Sequence, residues 1–227
     1  MDLSGASSLQ LIAQSLPFLL RGAVYSIGLG VGSMAIGLVI AFFVAIVRLQ
    51  RVPVLALAAR LYVSFIRGTP LLVQLFLIYY GLPQYGVTLG PLTSALIGFS
   101  LSVGAYSSEI LRGAIGAIDH GQWEAATVIG MTRWQTLRRV ILPQAARTAL
   151  PPLGNNFIGL IKDTSLAATI QVPELFRQAQ LVTARTFDIF AMYFAAAAIY
   201  WILSTILAFG QDRLEVRANR HSRRSVA

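Results

Sequence analysis

Charged residues are rare along this chain, and the intervals between them predict helices that cross a membrane. No charge occurs in 22–47, which lies between Arg21 and Arg48, or in 189–211. At about 1.5 Å of rise per residue, a helix over either interval is long enough to cross the roughly 30 Å hydrocarbon core of a bilayer. The pattern therefore predicts a first span over 22–47 and a last span over 189–211.

A third charge-free interval, 68–108, is too long for one crossing and must contain parts of two spans. The turn-rich stretch GLPQYGVTLGP at 81–91 divides it. We therefore predict a second span over 54–80 and a third over 92–112. Pro70 is expected to kink the second span, because proline has no backbone N–H to donate.

The fourth span follows from topology, because the charge-free interval 148–161 is short for a crossing. Basic residues accumulate in 133–147 and in the tail, and the positive-inside rule places both regions in the cytoplasm. An even number of crossings must separate the two regions, which predicts a span over 148–168 before the last one. The basic residues are Arg133, Arg138, Arg139 and Arg147 and, in the tail, Arg213, Arg217, Arg220, Arg223 and Arg224.

Five spans put the N-terminus outside and the C-terminus in the cytoplasm. The loop 48–51, with Arg48 and Arg51, then falls in the cytoplasm, and the charge-free loop 81–91 falls outside. Residues 1–21 have no basic leader region, so they predict a short amphipathic stretch at the membrane interface and not a cleavable signal peptide.

The predicted fourth span carries helix breakers and amides at membrane depth. They are Pro151, Pro152, Gly154, Asn155 and Asn156. Non-helical backbone is tolerated at that depth only where protein or a water-filled cavity surrounds it. We therefore expect irregular backbone in this segment, facing the interior of a helix bundle and not lipid.

The composition agrees with lipid as the surrounding solvent. Of 227 residues, 56% are hydrophobic and 12% are charged, about half the charged share of a soluble domain, and the mean hydropathy is +0.68. The net charge of +9 clusters beside apolar segments, which favours topology signals over nucleic-acid binding. With no cysteine and only His120 and His221 as histidines, a metal site is not expected.

The loop between the third and fourth spans contains two predicted helix starts. At the first, Asp119 followed by Gln122 fits an N-cap pattern, which predicts a helix from Gln122 to Ile129. Ala126 and Gly130 lie four residues apart and share a small face, where another backbone can approach closely. Gly130 is also expected to end this helix.

The second helix start lies later in the same loop, which covers 113–147. Thr132 with Gln135 fits the capping pattern again. An amphipathic helix is predicted behind this cap, and its apolar stripe consists of Trp134, Leu137 and Ile141. Pro143 predicts a break or kink where the chain re-enters the bilayer.

This loop resembles, spacing for spacing, the EAA loop of permease subunits of ATP-binding-cassette importers. The matching residues are Glu124, Ala125, Ala126, Gly130, Leu142 and Pro143, with Ile141 before the last two. Three further stretches resemble the branch of that family that imports polar amino acids. They are RGTPLLVQLF at 67–76, GAYSSEILRGAI at 104–115 and KDTSLA at 162–167.

The resemblance implies an all-α integral membrane protein with the type I importer permease fold, as one domain over 1–227. In that family the EAA loop is a coupling helix that sits in a groove of the ATPase subunit and transmits its closure, here through 119–134. The resemblance also implies an extracytoplasmic amino-acid-binding protein and a location in the bacterial cytoplasmic membrane. Because five spans are few to enclose a path, two permease copies are expected, either identical or homologous.

The chain is not expected to be an enzyme. It contains no phosphate-binding loop of the form G-x-x-x-x-G-K-[ST]. ATP and Mg²⁺ are therefore expected to be used by a separate ATPase, and this chain is expected to bind no cofactor.

Polar side chains at membrane depth mark candidate positions on a substrate path, because a charge there costs roughly 2.5 kcal/mol or more. Glu109 and Arg112 are three residues apart and are expected to pair. The pair is either a structural clamp near the cytoplasmic end or, with Tyr106 one turn earlier, part of the path. Arg67, two residues before Thr69, either anchors the bundle or offers its guanidinium group to a carboxylate.

Two further positions have a structural and a functional interpretation. Asn155 either satisfies the irregular backbone of the fourth span or touches the substrate. Lys162 and Asp163 are expected to end that span at the outer face as a cap with a local ion pair. The resemblance implies instead that their loop helps to gate the path or meets the binding protein.

A function from another class stays open at this point, namely an ATP-independent channel or small secondary transporter whose polar loop is only an interfacial anchor. An intramembrane hydrolase is not supported, because Asp119 and His120 are adjacent in a loop and no nucleophile motif accompanies them. None of these residues indicates which amino acid is transported.

Overall fold

The computed structural model describes residues 8–50 and 53–219, and these ranges are helical with no β-strand. The α-helices of the described residues are α1 (Ser8–Gln50), α2 (Pro53–Gly68), α3 (Leu71–Phe76), α4 (Pro91–Gly116), α5 (His120–Val128), α6 (Arg133–Thr136), α7 (Leu142–Asp163), α8 (Leu175–Thr186) and α9 (Ile189–Asn219). Short 3₁₀ or π-helical segments join several of them end to end.

The longest helix, α1, has 43 residues and contains the whole predicted first span. Residues 8–21 of the stretch predicted to lie at the membrane interface are helical and continuous with the first span, and their place at the interface stays a prediction. Because no charge occurs between Asp2 and Arg21, nothing in that stretch of the sequence marks a separate segment. Residues 1–7, Arg51 of the predicted cytoplasmic loop, and Arg220, Arg223 and Arg224 of the tail lie outside the described residues.

The predicted second span consists of two helical segments bent by 106°. After α2, the chain continues through α3, a π-helical turn at Leu77–Gly81 and a 3₁₀ turn at Leu82–Tyr85. The bend lies at Pro70, so the predicted kink is confirmed, but it is sharper than a kink in a continuous helix.

Gln74, a buried residue of α3, closes the gap in the hydrogen bonding at this bend. Its side-chain nitrogen donates to the carbonyl oxygens of Ile66 at 2.8 Å and Thr69 at 3.1 Å, and to Thr69 Oγ1 at 2.9 Å. These bonds satisfy carbonyls left free by the interruption at Pro70 and hold the bend in one geometry.

The third predicted span is α4, which packs lengthwise on α1. Glycines allow the two backbones to approach closely. A Cβ on Gly37 would overlap Val103, and a Cβ on Gly104 would lie 2.7 Å from Ile40 Cγ2. Close packing through small residues replaces the hydrophobic driving force that is lost between helices in lipid.

The predicted fourth span corresponds to α7, whose 22 residues form a continuous helix with Pro151 and Pro152 inside it. The irregular backbone expected at these prolines is therefore wrong. Prolines are tolerated inside membrane helices where neighbouring groups satisfy the freed backbone carbonyls. Pro151 and Pro152 have no N–H to offer the carbonyls of Arg147 and Thr148, one turn earlier. Gln211 of α9 donates its side-chain amide to another carbonyl, that of Pro151, at 3.0 Å, and so ties α9 to this level of α7.

The chain after α7 turns back into the bundle. A 3₁₀ segment at Thr164–Ile170 follows α7 directly. Its residues Ala167 and Ile170 are buried in the same apolar cluster as Leu29 of α1 and Phe99 of α4. The residues that follow α7 therefore lie among the interior residues of other helices, and the end of α7 at the outer face stays a prediction.

The sequence analysis did not predict α8, which packs between α1 and α9. Its first residue, Leu175, approaches α1 so closely that a Cβ on Gly22 would lie 2.7 Å from Leu175 Cα. Leu175 also shares an apolar cluster with Leu19 of α1 and Met192 of α9. The last predicted span, 189–211, lies within α9, which begins at Ile189 and continues to Asn219.

By length and composition, two of the described helical stretches qualify as membrane spans, Ser8–Arg48 and Ile189–Arg217. The bent pair of α2 and α3 adds a third if it counts as one span. An all-helical architecture with apolar spans is thus confirmed, whereas the number of five crossings stays a prediction.

Candidate functional site

The loop after α4 contains α5, a short helix that begins as predicted. Asp119 is its N-cap, and the carboxylate Oδ1 accepts a hydrogen bond of 3.0 Å from the Gly121 amide. The helix covers His120–Val128, so it starts two residues earlier than predicted and stops one residue earlier.

Gly130 ends α5, as predicted, with a left-handed backbone at φ +80°. The Gly130 amide donates to the Thr127 carbonyl at 3.0 Å, and the Met131 amide donates to the Ala126 carbonyl at 3.0 Å. This pair of bonds is a Schellman motif, which fixes the direction of the chain after the helix.

The second predicted cap is complete. Thr132 Oγ1 accepts from the Gln135 amide at 3.3 Å, and Gln135 Oε1 accepts from the Thr132 amide at 2.9 Å. This capping box opens α6, whose single turn continues through a π-helical turn at Leu137–Ile141 directly into α7.

The break predicted at Pro143 is wrong, because the helix continues through it. Pro143 lies in the first turn of α7, where a backbone N–H is not needed for the helix. The irregularity lies one turn earlier, where the Leu142 amide donates to the Leu137 carbonyl across the wider π-helical ring.

An apolar cluster joins the loop to the helices on either side of it. Its buried residues are Ala114 and Ile115 of α4, Ile141 of the π turn, and Ala145 and Ala149 of α7. Trp123 of α5 and Leu137 pack against this cluster, and Leu142 packs beside them. Trp123 therefore links α5 to the end of α4 and to the start of α7.

The accessible face of α5 differs from the small face predicted at Ala126 and Gly130. Ala126 is only 3% exposed, so its side chain packs within this chain. Glu124 and Ala125 are exposed, as the predicted docking role requires. The sequence analysis missed Val128 and Ile129, which are 86% and 75% exposed at the end of the helix.

Glu109 of α4 lies among arginines from three helices. It forms ion pairs with Arg48 of α1 and with Arg112, whose Nη2 lies 2.8 Å from Glu109 Oε2. The predicted pairing of Glu109 with Arg112 is confirmed. The contact with Arg48 was not predicted, and it ties the end of α1 to α4.

Arg67 reaches the same cluster from the end of α2. Its Nη1 lies 4.0 Å from Glu109 Oε2, and its guanidinium lies over the Tyr106 ring at 5.4 Å from the centroid. Three predicted path residues, Arg67, Tyr106 and Glu109, therefore lie together. Thr69 belongs to the bend instead, where its hydroxyl donates to the Phe65 carbonyl at 2.8 Å.

The two asparagines of α7 point to different neighbours. Asn156 donates to Ser107 Oγ at 3.2 Å, which places this level of α7 beside Tyr106 and Glu109 of α4. Asn155 is exposed, and its side-chain oxygen accepts from Gln211 at 3.4 Å. The backbone-satisfying role expected for Asn155 is not seen, because the helix there is regular.

Lys162 and Asp163 end α7, and both are exposed. The predicted cap is present in another form, since Ser165 Oγ donates to the Lys162 carbonyl at 2.8 Å. The predicted local ion pair is wrong. All ion pairs within 4.0 Å among the described residues involve Glu109.

The sequence analysis missed Glu174, a buried residue whose carboxylate accepts hydrogen bonds from three helices. Its carboxylate is completely buried and caps α8 by accepting from the amides of Phe176 at 2.9 Å and Arg177 at 2.6 Å. It also accepts from Tyr200 of α9 at 2.6 Å and from Ser26 of α1 at 3.3 Å. One side chain thus ties α8 to both neighbouring helices.

Comparisons with known proteins agree on one family. Residues 36–220 match the family described as binding-protein-dependent transport system inner membrane component. The chain is 51% identical over 213 residues to the L-cystine transport system permease protein TcyB of Bacillus subtilis (strain 168), covering 93% of this chain and 91% of that protein. It is 40% identical over 205 residues to the glutamine transport system permease protein GlnP of Escherichia coli (strain K12), covering 89% and 94%.

Solved structures are similar over nearly the whole chain. A crystal structure of an amino acid ABC transporter with histidines has a TM-score of 0.89 at 34% identity, covering 93% of this chain and 99% of that one. An inward-facing structure of the MetNI methionine ABC transporter has a TM-score of 0.70 at 18% identity, covering 93% and 98%. The second likeness concerns the fold alone.

Proposed function

The chain belongs to the family of binding-protein-dependent transport system inner membrane components, and from that membership we propose how it is coupled to its energy source. It is the transmembrane subunit of an ATP-driven amino-acid importer, with the type I permease fold. The ATP-independent channel considered from the sequence is not supported by these relatives. Our proposal is that residues 119–134 couple ATP hydrolysis on a separate subunit to transport.

The observation that carries this proposal is the construction of α5. The helix is closed at both ends by hydrogen bonds and is anchored through Trp123 to the cluster shared by α4 and α7. Its opposite side presents Glu124 and the apolar pair Val128 and Ile129. A short rigid helix with an exposed apolar tip is suited to a hydrophobic groove on a partner protein.

We propose that the partner with this groove is an ATPase subunit, which binds the ATP and Mg²⁺. Coupling then involves Glu124, Ala125 and Gly130, which form the exposed side and the end of α5. Leu142 and Pro143 contribute by connecting this loop to α7. Ala126 contributes by packing α5 onto its own chain. The loop faces the cytoplasm in this proposal, with the N-terminus outside and the C-terminus inside.

A second permease copy completes the proposed transporter, either identical to this chain or homologous. Large apolar side chains on α1 and α9 are exposed in the single chain, including Phe42, Phe43, Phe190, Phe194 and Trp201. Lipid and a second copy together account for such a surface. An extracytoplasmic binding protein delivers the substrate to the outer side.

We propose that the translocation path runs along the exposed polar side of α4 and α7, which pack side by side. Tyr106 and Glu109, with Arg67 of α2 beside them, lie on α4 at the level where Asn156 of α7 bonds to Ser107. Asn155 and, farther along α7, Lys162 and Asp163 are exposed polar residues of the neighbouring helix. Thr69 contributes only through the bend between α2 and α3.

The proposed cargo is a polar amino acid. The support is that two similar permeases are named as parts of an L-cystine and a glutamine transport system. Uptake of radiolabelled L-cystine, L-glutamine and L-leucine by proteoliposomes containing the complete complex tests this class. Uptake of L-leucine alone would contradict it.

The coupling proposal is tested with Glu124→Arg and Gly130→Trp, which place a reversed charge and a large ring at the proposed contact. We expect each variant to lose the ATPase in co-purification, or to retain it while hydrolysis no longer drives uptake. Asp212→Arg, which reverses an exposed acid on α9, is the matched control. Normal ATP-driven uptake by both loop variants would overturn the proposal.

A further inference from the structure

An apolar groove of about 240 Å³ lies between the end of α1, the end of α4 and the helical run from the π turn into α7. Its walls include Phe42 and Ile46 of α1, Leu111 and Ile115 of α4, Leu137 of the π turn and Ala146 of α7. Because Phe42 and Ala146 are exposed, the groove is open to the surroundings of the chain.

The groove has two ends, which follow from the direction of its walls. The helices α1 and α4 run parallel, and α7 runs antiparallel to them, as the order of their contacts shows. Ile46, Ile115 and Leu137 therefore lie together at one end of the groove. The other end consists of Phe42, Leu111 and Ala146.

The end of the groove at Leu137 is basic. Arg138 and Arg139 follow Leu137 directly in the π turn, and both are exposed. Neither forms an ion pair with another described residue, whereas Arg48 of α1, which is also at this end, is paired with Glu109. The stretch of α1 that is long and apolar enough to cross a membrane ends at Arg48. The basic end of the groove therefore lies at the expected membrane interface, and its other end lies toward the hydrocarbon core.

An apolar groove that ends at unpaired arginines matches the chemistry of an anionic phospholipid. Basic pockets between membrane helices on the cytoplasmic side bind anionic head groups. A zwitterionic lipid fits the apolar part equally well but brings no net negative charge to Arg138 and Arg139. A second copy of this chain has a net charge of +9, so it is a poorer match for a basic rim.

We propose that this groove binds an acyl chain of an anionic phospholipid, and that Arg138 and Arg139 hold the phosphate of its head group. The bound chain packs on Leu137 and Leu142, the two residues joined by the backbone hydrogen bond of the π turn. The lipid therefore stabilises the turn that connects α6 to α7. Binding at this site requires neither an ATPase nor a substrate, so it is independent of the proposed coupling.

The test measures lipid binding to the full-length permease, purified in a mild detergent and freed of native lipid. Dioleoylphosphatidylglycerol and dioleoylphosphatidylcholine, which have the same acyl chains, are offered at equal concentration. Native mass spectrometry then counts which lipid binds first to each chain. The wild type is expected to prefer phosphatidylglycerol at least about tenfold, because each arginine near an anionic head group contributes a factor of about five.

Two double variants separate the proposed head-group site from a general attraction between a basic chain and an anionic lipid. Arg138→Gln with Arg139→Gln is expected to reduce the preference to within about twofold. Arg213→Gln with Arg217→Gln removes the same charge from exposed positions near the end of α9 and is the matched control. This control is expected to keep the preference to within about threefold of the wild type.

A further variant tests the groove itself. Ala146→Phe fills the groove from its exposed side and is expected to weaken phosphatidylglycerol binding at least about fivefold, because the apolar contacts of the acyl chain are lost. Ala58→Phe adds the same ring at an exposed alanine of α2 and is expected to bind as the wild type does.

Thermal unfolding checks that each variant is folded. An unchanged preference in the folded Arg138 and Arg139 double variant overturns the proposal. An equal loss in the Arg213 and Arg217 double variant also overturns it, because the attraction is then general. Unchanged phosphatidylglycerol binding by Ala146→Phe excludes the groove as the lipid site, and a change in its oligomeric state would assign the groove to a second copy of the chain instead.

Discussion

Tyr200 on α9 donates a hydrogen bond of 2.6 Å to the carboxylate of Glu174, the N-cap residue of α8. The same carboxylate accepts from Ser26 of α1 and from two amides at the start of α8. No neighbouring cation offsets this buried charge, since Glu174 takes part in none of the ion pairs among the described residues. Hydrogen bonds alone therefore hold the carboxylate in place.

Removing Glu174 is expected to destabilise the bundle strongly. Glu174→Ala deletes an N-cap and leaves buried hydroxyl and amide groups without an acceptor, which costs about 3 kcal/mol or more in total. Tyr200→Phe removes one donor of four and is expected to cost about 1–2 kcal/mol. Thermal unfolding in detergent measures both losses. A melting temperature of Glu174→Ala equal to that of Asp212→Ala, an exposed acid on α9, would contradict this role.

The left-handed backbone at Gly130 predicts a specific effect of a single methyl group. Gly130→Ala forces a non-glycine residue to φ +80°, which costs roughly 1–2 kcal/mol and disturbs the end of α5. We expect hydrolysis stimulated by the binding protein to fall severalfold, with unchanged assembly of the helices in the membrane.

Gly121→Ala is the matched control in the same helix. Its backbone has no positive φ, and an added Cβ would meet Asp119 Oδ1 only at an ordinary contact distance of 3.7 Å. Equal losses of stimulated hydrolysis in the two variants would show that the left-handed turn at Gly130 has no special role.

The arginines around Glu109 predict an order of stability losses. Glu109→Gln leaves Arg48, Arg67 and Arg112 as neighbouring positive charges with no acid between them, so we expect the largest loss, about 1–3 kcal/mol. Arg112→Gln is expected to cost about 1 kcal/mol or less, because the Arg112 side chain is half exposed. Thermal unfolding of the two variants checks the order. The reverse order would show that the ion pairs of Glu109 do not stabilise the packing of α1 on α4.

A bulky residue at position 159 is expected to block the path without disturbing the fold. Gly159→Leu adds a side chain where no atom lies within 4 Å of the new Cβ, so the melting temperature should change little. We expect substrate uptake to fall at least tenfold. Gly28→Leu adds the same side chain at another open glycine, on the exposed side of α1, and should retain uptake. Equal uptake by the two variants would place the path elsewhere.

Local capping patterns in the loop were predictable because their chemistry lies within a few residues. Asp119, Gly130 and the pair Thr132 and Gln135 behave as the sequence indicates, since each cap depends on hydrogen bonds to the next turn. Long charge-free intervals likewise located α1 and α9, although the absence of charge between Asp2 and Arg21 hid the true start of α1.

Features that depend on distant residues were not predictable in this way. Gln211, sixty residues after Pro151, bonds to the Pro151 carbonyl and ties α9 to α7, and the bend at Pro70 is closed by Gln74. The segment after α7 is charge-free only over 164–173 and then carries Glu174, so its length and composition did not predict that it is buried. Its burial depends on Gly22 and Ser26 of α1, which no local pattern connects to it.

The most direct test of the central claim is the rate of amino-acid uptake into proteoliposomes that contain the permease with or without its partner ATPase, at equal permease content, with saturating ATP and with the binding protein present. Energy reaches the bundle only through residues 119–134 in this account. We therefore expect uptake to require the ATPase and to disappear with Glu124→Arg even when the ATPase is present. Uptake at the full rate by the permease alone, or undiminished uptake by Glu124→Arg, would contradict it.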